Sequence, residues 1–118
     1  MNNVIEEKTL VFANSIVKLY KFLAFDKNEQ VLSKQILKSG TSIGANVAEA
    51  QDAQSKNDFI SKMSIALKES NETKYWLKVL KNGEFISQEC FDNLYAETCE
   101  IHDIISSIII TTKNKYKM

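Results

Sequence analysis

No proline interrupts the 118 residues, and the three glycines stand only at 40, 44 and 83. Proline breaks a helix and glycine weakens one, so a chain this poor in both can run as long uninterrupted helices. The apolar spacing agrees. A first stripe passes through Ile5, Phe12, Ile16, Leu19 and Leu23, widened by Val11, Tyr20 and Phe22, and stops near Asp26. Asp26 and Glu29 form a D-x-x-E start, in which one side chain caps free backbone donors and the second reaches back. The second helix behind them turns Leu32, Ile36, Ile43, Val47 and Ala50 inward.

Ser55 and Asp58 make a weaker start of the same kind. Beyond them Phe59, Met63, Ala66, Ser70, Thr73, Leu77 and Leu80 keep a heptad spacing for three repeats. Gly83 ends this third helix, where a left-handed backbone is easiest for glycine. Ser87 caps the fourth, with Glu89 near the positive end of its dipole. Phe91, Leu94, Thr98, Ile101, Ile105, Ile108 and Thr112 form its seam.

No strand-like alternation with turn signals occurs. The spacing predicts an all-α, antiparallel up-down-up-down four-helix bundle filling one domain over residues 1–118. Its helices are expected at about 3–25, 27–53, 56–82 and 88–113, each roughly 30–40 Å long, with a frayed basic tail over 113–118. The apolar residues exceed what one such core needs. Ile104, Ile109 and Ile110 flank the fourth seam, and Ile60, Leu67, Trp76 and Val79 flank the third. A four-helix monomer has no central helix to absorb them, so a homo-oligomer is expected.

Composition removes several chemistries. One histidine, His102, cannot supply a three-histidine zinc site or the paired Glu-x-x-His motifs of a di-iron bundle, and it reads as a core-edge residue. Neither phosphate-cradling glycine motif is present. Cys90 and Cys99 would lie about 13.5 Å apart along one helix, too far for a disulfide, and they form no C-x-x-C pair. No catalytic, cofactor-binding or metal-binding set emerges, and no enzyme is expected. The amino terminus lacks the basic-then-apolar layout of a signal peptide, and Ile104 to Ile110 is too short to span a bilayer. A cytoplasmic protein with no membrane partner is therefore expected.

All fifteen cations are lysine, balanced by fifteen acids. With ten asparagines and thirteen isoleucines, the missing arginine fits AT-rich codons. The zero net charge conceals segments of opposite sign. Residues 55–83 carry Lys56, Lys62, Lys68, Lys74, Lys78 and Lys81 against three acids, a net of +3, whereas residues 84–112 carry six acids and no lysine. Lys113, Lys115 and Lys117 restore +3 at the end. Opposite faces of this kind could steer one subunit onto the next. Lys74, Lys78 and Lys81 beside Tyr75, and Lys113, Lys115 and Lys117 around Tyr116, are the candidate nucleic-acid contacts. A protein partner is the other option for these surfaces.

The stretch from Ser39 to Glu49 is the most unusual. Each glycine in a helix costs about 1 kcal/mol relative to alanine, so something must offset Gly40 and Gly44. One turn apart on one side, they would let another backbone approach. Ser42, Asn46 and Glu49 are expected to form a local hydrogen-bond cluster. Glu49 could instead act as a ligand or catalytic carboxylate, although no second acid, base or nucleophile stands in a fixed relation to it.

The run Thr41-Ser42-Ile43-Gly44-Ala45-Asn46-Val47-Ala48-Glu49 resembles the S-I-x-A-N-[IV]-A-E signature of the bacterial four-helix-bundle proteins named for 23S rRNA intervening sequences. The resemblance continues through Ser55, Asp58-Phe59, Ile65-Ala66-Leu67, Ser70, Glu72 and Trp76-Leu77, and covers the last helix by pattern. Gly44 stands where family members often carry proline, and the arginines common just before the motif are absent, with Gln35 and Lys38 nearby instead. The resemblance implies a small subunit of a ring-like homopentamer without established enzymatic activity. The similar accessory variability determinant of diversity-generating retroelements is a basic pentamer that binds nucleic acid and a reverse transcriptase. The expected function is thus a non-catalytic scaffold or adaptor, with a nucleic-acid-binding accessory protein as the alternative.

Overall fold

The computed structural model describes residues 4–117. Its long helices are α1 (Val4–Lys21), continued by a π turn (Phe22–Asp26), then α2 (Leu32–Gln51), α3 (Lys56–Asn82) and α4 (Gln88–Tyr116). Among the described residues there is no strand. The molecule measures 48 × 21 × 20 Å, a long axis set by helices of up to 29 residues. Consecutive helices pack against each other, and α1 meets α4 over the slightest contact of the four helix pairs.

Ile5, Phe12, Ile16, Leu19 and Leu23 are buried, whereas Val11 and Phe22, expected to widen their stripe, are exposed and Tyr20 is half-buried. Thr9 is buried too, its hydroxyl donating to the Ile5 carbonyl at 2.8 Å. With that bond made within the helix, its methyl group is left to pack. Gly40 lies on Ile16 and Gly44 on Thr9. In the core between α2 and α3, the hydroxyls of Ser39 and Thr73 lie 3.1 Å apart. At the next pair, Lys56 sits over the Tyr116 ring, Lys78 over Tyr95 and Lys81 over Phe91.

The starts of α3 and α4 form as the side-chain spacing predicts. The Ser55 hydroxyl accepts from the Asp58 N–H at 3.0 Å, and the Ser87 hydroxyl accepts from the Cys90 N–H at 3.1 Å. The start of α2 does not. Asp26 closes the π turn, with the Lys27 N–H on the Phe22 carbonyl, so it is still helical and caps nothing. A left-handed Asn28 then reverses the chain. Glu29 alone meets the α2 amino end, its carboxylate accepting from Val31 N–H at 3.2 Å and Ser33 N–H at 2.7 Å. The second helix consequently begins at Leu32, five residues later than expected, and ends at Gln51.

Other expectations shift at the helix ends. Gly83 is right-handed, and the left-handed residue is Glu84, with φ of 65°. Glu84 N–H bonds to Lys81 O and Phe85 N–H to Leu80 O, a Schellman closure with a non-glycine at its left-handed position. What Gly83 supplies is room, because a Cβ there would stand 3.1 Å from the Phe85 ring. Instead of fraying at 113, α4 stays helical to Tyr116. Its buried seam moves from Ile105 to Ile109, leaving Ile108 and Thr112 half-buried, because a straight helix drifts off a seven-residue repeat. On α3 the first buried position is Ile60, and Phe59 is half-buried. The expected first helical position, residue 3, and the tail end, residue 118, lie outside the described residues.

Candidate functional site

The motif segment lies in the middle of α2, where it separates into an inner and an outer side. Ile43 and Val47 are fully buried. Gly40 is there because nothing larger fits: an added Cβ would stand 2.8 and 2.9 Å from two carbons of Ile16. At Gly44 it would stand 3.2 Å from Thr9, a tight approach but a less severe one. Ser42 and Asn46 bond along their own helix, Ser42 Oγ donating to Lys38 O at 2.6 Å and Asn46 Nδ2 to Ser42 O at 2.8 Å. Glu49 does not join them. Its carboxylate pairs across to Lys62 of α3 at 3.0 Å, and this bond holds the Lys62 ammonium above its ordinary pKa. Both partners remain solvent-accessible, so the pair locates α2 against α3 more than it stabilises it.

Ala45 and Ala48 face outward with Thr41, and together with Leu10 and Ala13 they line a groove of about 550 Å³ along the outside of α1 and α2. Glu6 and Glu7 stand at one end of it. The small residues of the motif therefore serve two sides, close packing inward and a shallow apolar groove outward.

The candidate nucleic-acid lysines fall into two separated groups. Lys74, Lys78 and Lys81 lie toward the carboxyl end of α3, where Lys78 and Lys81 cover Tyr95 and Phe91 of α4. Lys113, Lys115 and Lys117 lie at the carboxyl end of α4, which meets the amino end of α3 through Lys56 and Tyr116. Lys56 and Lys81 are 25 positions apart on one helix, roughly 37 Å. The fold does not bring the two groups into one surface. His102 is half-buried on α4 with Nδ1 3.4 Å from an Asp103 oxygen. Cys90 and Cys99 are half-buried free thiols, and burial raises the pKa of Cys90. Among the described residues no three His, Cys, Asp or Glu side chains are placed to share a metal ion.

The surplus of apolar residues is partly absorbed within the subunit: Ile60 and Ile109 join the core, Ile104, Leu67, Trp76 and Val79 are half-buried, and Ile110 stays exposed. The larger apolar exposure lies on α1 and the turn after it, which the sequence did not single out for this role. Val4, Leu10, Val11, Phe25 and Val31 are each more than half exposed. Val4 and Val11 border two grooves between α1 and α4, floored by Ile5, Ile104 and Ile108 in one and by Phe12 and Ile101 in the other. The ion pair Lys8–Glu100, at 3.0 Å, spans the same side.

The family model for the 23S rRNA-intervening sequence protein matches residues 1–107. The chain belongs to that family. A solved structure of a Bacteroides thetaiotaomicron protein of unknown function, described as belonging to the S23 ribosomal protein family, is 53% identical over 91% of this chain and 96% of its own. Its TM-score of 0.90 shows the same helical fold. No curated protein matches. Within this 23S rRNA-intervening sequence family member, Ser42, Gly44, Asn46 and Glu49 occupy helix-packing and helix-surface positions, and no described helix is long and apolar enough to cross a membrane.

Proposed function

We propose that the chain is a non-catalytic scaffold or adaptor subunit that assembles with copies of itself in the cytoplasm. The observation that carries this reading is the α1–α4 side. It is the least closed side of the bundle, and Val4 and Val11, 57% and 59% exposed, stand beside grooves whose floors are apolar. Exposed apolar area next to open grooves is costly to leave in water and is removed by a second chain. The subunit itself is an up-down-up-down bundle. Supporting that topology, partners in consecutive helices run in opposite order: Gly40 and Gly44 against Ile16 and Thr9, then Ser39 and Glu49 against Thr73 and Lys62. The family resemblance makes the homopentamer the expected closed form. A scaffold role needs no cofactor.

Light scattering at micromolar concentration tests the assembly. The expected mass is a multiple of the 13.4 kDa subunit, five-fold for the pentamer. A mass of one subunit would overturn it.

A further inference from the structure

One cavity lies outside the motif and shares only Ile5 and Ile108 with the α1–α4 groove. It is an open hollow of about 770 Å³ at the end of the bundle where the amino ends of α1 and α3 meet the carboxyl ends of α2 and α4. Ile5, Phe59, Met63 and Ile108 give it an apolar floor, and Met63 is fully buried. Lys56, Lys115 and Tyr116 stand at its rim. Among the described residues no Asp or Glu lines it, although acids equal lysines in the chain as a whole. Lys56 and Lys115 both approach one ring, 4.6 and 5.5 Å from the Tyr116 centroid. Hydrogen bonding to Lys56, together with both positive charges, holds the Tyr116 hydroxyl below the ordinary tyrosine pKa. Among the described residues neither lysine pairs with a carboxylate. The positive end of the α3 dipole, capped by Ser55, opens on the same rim.

We propose that this end cavity binds a small amphiphilic anion, an aliphatic chain of medium length with an anionic head group, with the chain on the Ile5–Phe59–Met63–Ile108 floor and the head group at the rim beside Lys56 and Lys115. Two cations with no carboxylate partner among the described residues, at the mouth of an apolar hollow, select such a molecule over a neutral or cationic one. A pocket of this composition binds by burying the chain, and the charges fix its orientation. All its described lining residues come from one chain.

Decanoate, below its micelle concentration, is the probe. Calorimetric titration of the full chain should give saturable binding at one site per subunit. Acetate, which lacks the chain, and decyltrimethylammonium, which reverses the head charge, should not bind. Replacing both lysines, Lys56→Gln with Lys115→Gln, should weaken decanoate about tenfold, because each exposed cation contributes up to roughly 1 kcal/mol. Thr111→Trp, an exposed position on the rim, should block entry while leaving the helical circular dichroism unchanged. Co-sedimentation with phosphatidylglycerol vesicles separates the sources of such an anion. Sedimentation competed by decanoate assigns the site to a membrane lipid, and decanoate binding without sedimentation assigns it to a free molecule. The proposal is overturned if decanoate shows no saturable binding up to about 1 mM. It is equally overturned if decanol matches decanoate, or if the double lysine variant binds as the parent does.

Discussion

Two single positions carry constraints of opposite legibility. That Gly40 faces a close neighbour follows from the helix cost of glycine, but that the neighbour is Ile16 does not, because the register of α1 on α2 is a tertiary property. Gly40→Ala would drive a Cβ to 2.8 Å from Ile16 and should destabilise the fold by about 1–3 kcal/mol. In urea unfolding, the double variant with Ile16→Ala should lose less than the sum of the two single losses. Strict additivity would separate the two residues. At the end of α3 the sequence points to Gly83 for the left-handed residue, and the chain places Glu84 there instead, one position later. Glycine at 83 is retained by the Phe85 ring packed over it. Glu84→Gly should therefore raise the urea midpoint by the equivalent of about 1 kcal/mol, the strain of a side chain at positive φ. A lowered midpoint would contradict that reading.

At the scale of elements, α3 is the helix most fully written in the sequence, because a heptad spacing, a serine cap and a following glycine all agree on its limits. The start of α2 is written least. Its D-x-x-E signal is present, yet burial of Leu23 and Ala24 draws the chain through a π turn that consumes Asp26. Burial of two apolar side chains outweighs one cap, which is worth about 1 kcal/mol. Glu29 then holds two backbone donors alone, so Glu29→Ala should cost about 1 kcal/mol in thermal or urea unfolding, whereas Asp26→Ala should cost less. Glu69 on α3 gives a pH signature. Burial, and then the neighbouring Glu72, raise its pKa above the ordinary 4.5. A carboxyl group whose folded pKa is raised favours folding while protonated, and that contribution is lost as pH rises past the folded value. Glu69→Gln should accordingly leave stability at pH 7 equal or slightly higher, and should flatten the stability profile just above pH 4.5. An unchanged profile would show that the group is as well solvated in the folded chain as in the unfolded one.

For the whole molecule, charge and apolar area divide the surface differently from what a net charge of zero suggests. The basic α3 and acidic α4 are packed neighbours, and Lys78 and Lys81 are answered inside one subunit by rings of α4 and not by its carboxylates. The apolar exposure on α1 has no such internal answer, and its stripe could not be seen in advance because Val11 reads equally well as a wider core. Val11→Lys tests whether this side is the contact between copies. A lysine is chosen because Glu7 and Glu97 border the same groove, where Lys8 is already paired with Glu100, which makes the charge acceptable to an isolated subunit. Buried against a second chain, the same charge should cost about 2 kcal/mol or more per contact, a weakening of association of roughly thirtyfold. Light scattering should then show a concentration-dependent fall in mass while circular dichroism keeps the helical signal. Tyr75→Lys is the matched control: Tyr75 is equally exposed, at 59%, but sits on α3, which makes no substantial contact with α1. A mass that falls for Tyr75→Lys and holds for Val11→Lys would move the interface from the α1–α4 side to the outer face of α3.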